Sequence, residues 1–123
     1  MEKIYTEKAP AAVGPYSQAV SANGMLYTSG QIALDSATGE LAGKTIEEQA
    51  EQVMKNLVFV LEAAGTSPEK VVKTLCFLTD MNDFAAFNAV YARYFTEKPA
   101  RSCIAVSALP KGAKCEVEAV AVL

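Results

Sequence analysis

The sequence contains no histidine. This absence removes the commonest general base, the commonest transition-metal ligand and the Ser-His and Cys-His nucleophile pairs. Any catalysis must therefore use carboxylates, arginine, tyrosine, thiols or backbone groups. We predict no metal site.

Charge is scarce as well, and it is not concentrated in any segment. Charged residues make up 20% of the 123 residues and hydrophobic residues 51%. The chain therefore has few charged residues to cover the surface of one domain spanning residues 1–123. We expect part of its apolar surface to be buried against other subunits. The net charge is −3 and the basic residues are scattered, so a nucleic-acid partner is not expected.

Long apolar runs and paired cysteines are missing too. No run approaches the roughly 20 residues that a bilayer span requires, and the opening residues MEKIYTEKAP lack the hydrophobic stretch of a secretory signal. Cys76, Cys103 and Cys115 are odd in number and widely spaced, as is typical of reduced thiols. These features predict a cytoplasmic protein without a membrane partner.

Turn and capping signals predict the first half of the fold. Asn23-Gly24 readily takes positive φ, which predicts a hairpin between strands at about 17–22 and 25–29. Thr45, followed three residues later by Glu48, predicts a capped helix that ends at Gly65. The helix has one apolar stripe, and Glu51 is among the residues expected to face water. The stripe comprises Ala50, Val53, Met54, Leu57, Leu61 and Ala64.

The second half of the chain predicts a strand, a helix and two more strands. The strand is expected at 71–79, and the helix from Asn82 as its N-cap to about Phe95. The last strands are expected at 102–107 and 114–122. This order indicates a two-layer α+β domain with both helices on one face of the sheet. The other, apolar face then needs a partner.

Arg101 follows Pro99 near the start of a predicted strand. Its guanidinium is a planar fork of donors that matches a carboxylate, so it suits the anchoring of a small acid in a partly dry pocket. The alternative is an ordinary solvated arginine at a strand end.

Two carboxylates, Glu116 and Glu118, fall on one face of an otherwise apolar strand. A partly desolvated carboxylate can have a raised pKa and can hold or activate a water molecule. Alternatively, this face is exposed at a sheet edge or pairs with Lys114.

Four other positions carry weaker signals. Tyr16 follows Gly14-Pro15 and either presents its phenol to a pocket or lies at the edge of the core. Ser29-Gly30 ends a strand with a glycine, which lets a ligand approach the backbone or marks a simple turn. Asn88, on the second helix, is either solvated or reaches into a cleft, and Cys103 is either a cleft residue or a small core filler.

Seven short motifs follow one another along the chain. They are GPYSQA (14–19), TSGQI (28–32), TGE (38–40), NDF (82–84), PARSC (99–103), LPKGA (109–113) and EVEA (116–119). Their order and spacing resemble the RidA (YjgF-type) family of reactive-intermediate deaminases, from about residue 4 to the end of the chain.

The resemblance implies a chorismate-mutase-like fold and a homotrimer whose sheets close around a central barrel, with sites in the clefts between subunits. It also implies that Arg101 grips the substrate carboxylate and that Glu116 orients the hydrolytic water. The cleft would be lined in addition by Tyr16, Ser29, Gly30, Asn88 and Cys103, some of them contributed by the neighbouring chain.

A shared substrate constrains the last two strands. In a plain hairpin Arg101 would pair near Ala121, about five residues or roughly 17 Å from Glu116, which is too far for one small acid. The mixed sheet implied by the resemblance avoids this, because there the two strands are not neighbours. We therefore expect the connection through 109–112 to cross over.

The implied activity is hydrolysis of 2-iminobutanoate and 2-iminopropanoate, released by pyridoxal-phosphate dehydratases, to 2-keto acids and ammonia. Free imines already hydrolyse in water, so positioning and charge complementarity suffice without a cofactor. Two alternatives stay open. One is a non-catalytic metabolite-binding or chaperone-like trimer. The other, an endoribonuclease or translation inhibitor, fits an acidic chain without a basic groove poorly.

Overall fold

Six strands form one mixed sheet in a computed structural model that describes all 123 residues. The strand order is β1-β2-β3-β6-β4-β5, and every neighbouring pair is antiparallel except β4 and β5. The strands are β1 (Glu2–Ile4), β2 (Ala19–Ala22), β3 (Met25–Thr28), β4 (Val71–Leu78), β5 (Ala100–Ala105) and β6 (Cys115–Val122), and the helices are α1 (Ile46–Ala63) and α2 (Phe84–Tyr94). This is the predicted two-helix, mixed-sheet α+β fold.

The hairpin between β2 and β3 turns at the predicted dipeptide. Asn23 and Gly24 have φ values of 53° and 76°, the left-handed backbone that this turn requires. The strand β1, which the sequence analysis did not predict, pairs with β2 on the outer side.

The helix α1 begins as its capping signal predicted. The backbone N–H of Glu48 donates to Thr45 Oγ1, and the Glu48 carboxylate accepts from the Thr45 N–H, each at 3.1 Å. The stripe of α1 packs into the core, where Ala50, Val53, Met54, Leu57 and Leu61 are buried. Glu51, which was expected to face water, is 34% exposed and accepts hydrogen bonds from Arg93 and Tyr94 at the surface.

The start of α2 differs from the prediction. Asn82 lies inside a single turn of 3-10 helix at Met81–Asp83 that leads into α2, so it is not the N-cap of α2. Asp80 caps this turn, because its carboxylate accepts the backbone N–H of Asn82 at 2.9 Å. The residue at the N-cap position of α2 itself is Asp83, which makes no side-chain capping hydrogen bond.

The last two strands are not sheet neighbours, as expected. The strand β4 lies between β5 and β6, and it pairs with β5 in parallel and with β6 in antiparallel orientation. The connection through the short 3-10 turn at Pro110–Gly112 therefore crosses over instead of folding back.

The two faces of the sheet have different surroundings. Both helices pack on one face, where alternate residues of β6, such as Val117, are fully buried. The opposite face, which we call the open face, carries exposed Tyr27, Ile104 and Val122 and partly exposed Phe77. Neither helix is long and apolar enough to span a bilayer.

Candidate active site

The predicted site residues form two groups on opposite faces of the sheet. Arg101 pairs with Thr74 on β4, and Glu116 pairs with Phe77 on the same strand. Positions 74 and 77 are an odd number of residues apart, so their side chains, and those of their partners, point to opposite faces. Within one chain Arg101 and Glu116 therefore do not share a cavity.

Arg101 lies against α2 on the helix-covered face. Its Nη1 donates a 2.7 Å hydrogen bond to Oδ1 of Asn88. Its Cζ lies 4.8 Å from the ring centroid of Tyr91 and 5.5 Å from that of Phe84, within the range of cation–π attraction. These contacts hold the guanidinium in one place and leave its other N–H groups available for an anion. Asn88, which the sequence left either solvated or reaching into a cleft, thus contacts Arg101.

The Tyr91 ring beneath Arg101 is itself held in place. Its hydroxyl lies 2.7 Å from the hydroxyl of Thr74, which is fully buried. Burial raises the pKa of Tyr91, so this phenol stays neutral. Phe87 and Phe95 pack on its other sides.

Cys103 lies two residues after Arg101 on the same face and is partly exposed. Burial raises the pKa of the Cys103 thiol, and the nearby charge of Arg101 opposes this effect. A thiol with a raised pKa is a poor nucleophile at neutral pH, so Cys103 can line a ligand site but is not activated for attack.

Glu116 lies in a cavity of about 440 Å³ at one end of the open face. We call this the Glu116 cavity. Tyr16, Ser29, Gly30 and Lys111 also contribute to its lining. Tyr16 and the Ser29-Gly30 pair, two of the four positions with weaker sequence signals, thus lie together with Glu116.

The Glu116 side chain occupies the space directly above the Gly30 backbone. A β-carbon at residue 30 would overlap Oε2 of Glu116 and would lie 2.7 Å from its Cδ. Gly30 does not have a left-handed backbone, so the close approach of the carboxylate, and not a special φ, requires glycine here. This explains the glycine that ends the predicted strand.

The Glu116 carboxylate has a raised pKa and makes no hydrogen bond within the chain. Burial is the main cause of the shift, and the neighbouring charge of Glu118 adds to it. A carboxylate without a protein partner can accept a proton from a water molecule bound in the cavity. Its pKa is shifted towards neutrality, as a general base requires.

Ser29 and Tyr16 complete this side of the cavity. Ser29 Oγ donates to the backbone oxygen of Ser17 at 2.5 Å, so its remaining capacity towards a ligand is that of an acceptor. Tyr16 is 52% exposed and its phenol makes no hydrogen bond within the chain. Its hydroxyl is therefore free to contact a ligand.

Sequence reasoning missed three residues of these groups. Lys111 was named only within the motif at 109–113, but it lines the Glu116 cavity and its Nζ donates to the Gly39 oxygen at 2.8 Å. Phe84 was named only within the motif at 82–84, and Tyr91 was not singled out. They lie four residues before and three residues after Asn88, a spacing that places all three side chains on one helix face and could have identified them.

Comparisons with known proteins agree with the resemblance drawn from the motifs. The sequence model of the family described as Endoribonuclease L-PSP matches residues 6–123. The chain is 56% identical to a RutC family protein of Synechocystis sp. over 126 residues, covering 100% of this chain and 97% of the relative. It is 49% identical to the 2-iminobutanoate/2-iminopropanoate deaminase of Mus musculus, covering 97% of this chain and 89% of the relative.

Solved structures give the same result for the fold. The crystal structure of E. coli TdcF with bound serine superposes with a TM-score of 0.95 at 42% identity, covering 100% of this chain and 99% of the other. The mixed sheet with two helices on one face is therefore shared with that protein.

Proposed function

The chain belongs to the Endoribonuclease L-PSP family, and from this premise we propose that it is a deaminase that hydrolyses 2-iminobutanoate and 2-iminopropanoate to 2-keto acids and ammonia. The observation that carries the proposal is the unpaired Glu116 carboxylate, which has a raised pKa and lies above Gly30 in a cavity. The deaminase name of the mouse relative supports the same reaction.

The proposed reaction adds water to the C2 carbon of the imine. Glu116 accepts a proton from the bound water while the oxygen attacks C2, and the proton passes to the nitrogen to give a carbinolamine. Collapse of this intermediate forms the carbonyl group, breaks the C–N bond and releases ammonia. A carboxylate suits both proton transfers when its pKa has been shifted towards neutrality.

The substrate carboxylate is assigned to Arg101. The Arg101 guanidinium has free N–H donors and is backed by two aromatic rings, which suits a planar carboxylate. The bound serine of TdcF is a small ligand of the same kind, with a carboxylate next to a carbon that carries nitrogen.

A homotrimer supplies the two halves of each site. Arg101 and Glu116 face opposite sides of one sheet, so a small acid can touch both only if they come from different subunits. The apolar side chains of the open face, which nothing covers in the single chain, are available for burial in such an assembly. We propose that neighbouring subunits pair the Arg101 group of one chain with the Glu116 cavity of the next.

The activity is tested by coupling the protein to a threonine dehydratase and following the appearance of 2-ketobutyrate. The wild type is expected to accelerate release beyond the uncatalysed rate, and Arg101→Ala is expected to abolish the acceleration. Arg93→Ala is the matched control, because Arg93 is an exposed arginine of α2 that pairs only with Glu51. Undiminished activity in Arg101→Ala would contradict the assignment.

The same preparation distinguishes the alternative of a non-catalytic binding protein. If the wild type binds 2-ketobutyrate but does not accelerate its release, the cavity is a binding site and the hydrolase proposal is wrong. RNA binding that weakens with salt, in a nuclease-free preparation, would instead favour the ribonuclease alternative.

A further inference from the structure

Three segments outside the α-helices and β-strands form much of the wall of the Glu116 cavity. They contribute Pro10 and Ala11, Ile32 and Leu34, and Pro110 and Lys111, respectively. Irregular backbone at a cavity wall carries N–H and C=O groups that regular structure does not satisfy. Two of these segments are attached directly by a buried carboxamide side chain, and a third buried carboxamide bonds to the chain just after the third segment.

Asn56 of α1 holds the segment with Ile32 and Leu34. Its Nδ2 donates to the backbone oxygens of both residues, at 3.1 and 2.9 Å, and its Oδ1 accepts from Gln52 Nε2 at 2.9 Å. The side chain is fully buried, and all of its N–H groups are used. The two carbonyl groups are thereby fixed to a rigid helix.

Gln18 holds the N-terminal segment in the same way. Its Nε2 donates to the oxygens of Thr6 and Pro10, at 3.0 and 2.8 Å, and its Oε1 accepts the Thr6 N–H at 2.7 Å. It is 3% exposed. Because Gln18 immediately precedes β2, the segment is attached to the beginning of that strand.

Gln49, again from α1, is attached to the chain just after the third segment. Its Oε1 accepts the Lys114 N–H at 2.9 Å, and its Nε2 donates to the Gly43 oxygen at 3.3 Å. It is 4% exposed. Lys111 adds the bond to Gly39 described above, so the crossover and the turn at 35–40 are joined at the cavity rim.

We propose that Gln18, Gln49 and Asn56 are positioning residues that hold the wall of the Glu116 cavity in its ligand-binding shape. This inference rests on the proposed function of that cavity. Two of the three carboxamides bond directly to segments that line it, and the third bonds next to one. If the cavity wall is fixed before binding, the cavity accepts only imines whose side chains fit its fixed size. Ligand binding then does not have to order the three segments.

The test compares Asn56→Leu with Thr66→Val. Both remove a buried side-chain hydrogen bond to backbone, but Thr66 bonds to the Val122 oxygen and does not line the cavity. In Asn56→Leu the KM for 2-iminobutanoate should rise about tenfold, equivalent to about 1.4 kcal/mol. Since Glu116 and Arg101 are untouched, kcat should change by less than about twofold. In the same variant the preference for 2-iminobutanoate over the larger imine of leucine should weaken. Thr66→Val should change neither the KM nor this preference.

A second measurement is independent of turnover. Hydrogen exchange at the amides of Leu34 and Ala42, which bond to the Ile32 and Ala33 oxygens, should accelerate in Asn56→Leu and stay unchanged in Thr66→Val. If the wild type does not hydrolyse imines, the proposed function fails, and this exchange together with 2-ketobutyrate affinity still tests the positioning role. Gln49→Leu, whose side chain does not line the cavity, gives a parallel test if Asn56→Leu does not fold, with exchange measured at the Ala113 amide, which bonds to the Pro110 oxygen. Unchanged KM, affinity and exchange in the variants would overturn the inference.

Discussion

The carboxylate of Glu116 occupies the space that a β-carbon of residue 30 would need. Gly30 and Glu116 are far apart in the chain but adjacent in the sheet, because Gln31 bridges to Val117 through two backbone hydrogen bonds. The glycine therefore sets where the proposed catalytic carboxylate lies. A change at residue 30 acts on catalysis through residue 116.

Replacing Gly30 with alanine should displace the Glu116 carboxylate and lower kcat/KM about a hundredfold, because small misplacements of a catalytic group have effects of that order. The backbone at residue 30 tolerates alanine, so the loss should come from the contact alone. A double-mutant cycle with Glu116→Ala isolates this contact. In the Glu116→Ala background, Gly30→Ala should have almost no effect on the free energy of unfolding. If Gly30→Ala lowered the free energy of unfolding as much in that background as in the wild type, the explanation would be contradicted.

The raised pKa of Glu116 predicts a pH-dependent stability. A carboxyl group whose pKa is higher in the folded chain than in the unfolded chain binds a proton more tightly in the folded state. The contribution of Glu116 to the free energy of unfolding should therefore fall as the pH rises from the ordinary pKa of 4.5 through the folded pKa. Glu116→Gln removes this dependence, so the variant should be more stable than the wild type at pH 7 and similar to it at pH 4.

Glu118→Gln is the control for that experiment. Removing the neighbouring charge lowers the pKa of Glu116 and should reduce the pH dependence only in part, because burial is the larger cause. Denaturant unfolding at several pH values measures both effects. A constant difference between Glu116→Gln and the wild type at all pH values would show that burial does not perturb this carboxyl group.

Much of the fold follows from local signals. The positive φ values of Asn23 and Gly24 and the capping box of Thr45 and Glu48 involve residues close in sequence, and all were predicted. The cap of α2 was misassigned because a 3-10 turn at Met81–Asp83, capped by Asp80, precedes the helix and moves its start to Phe84. The strand β1 was missed because its three residues gain their structure from pairing with β2, more than ten residues away.

The sequence named candidate site residues but not the face of the sheet on which each of them lies. The sequence placed Glu116 and Glu118 on one strand face, and the structure agrees. It did not give the register of β4, which pairs Thr74 with Arg101 and Phe77 with Glu116 and so separates the two groups. Register depends on long-range contacts that local spacing does not specify.

The aromatic ring beneath Arg101 should control how tightly the substrate carboxylate binds. Tyr91→Leu removes the ring from below the guanidinium and should raise the KM about tenfold, within the range of a lost cation–π contact and a less ordered guanidinium. Tyr91→Phe keeps the ring and loses only the hydroxyl bond to Thr74. It should cost about 1 kcal/mol of stability with little change in KM. Steady-state kinetics and denaturant unfolding separate the two effects, and an equal KM change in both variants would contradict a role for the ring.

Complementation between two inactive variants tests whether each site is shared by two subunits. Arg101→Ala and Glu116→Gln chains, produced together, should form mixed trimers in which some sites combine an intact Arg101 from one chain with an intact Glu116 from its neighbour. With random assembly of equal amounts, about a quarter of the sites regain both groups in a cyclic trimer. Activity should therefore recover to about a quarter of the wild-type level.

The control for this experiment pairs Arg101→Ala with the double variant Arg101→Ala/Glu116→Gln. No site in that mixture contains an intact Arg101, so mixing alone should restore nothing. If both groups of a site came from one chain, the two single variants would also fail to complement, because neither chain carries both residues. Recovery in the first mixture but not in the second would follow only from a site built across a subunit boundary, as the opposite orientation of Arg101 and Glu116 on the sheet requires.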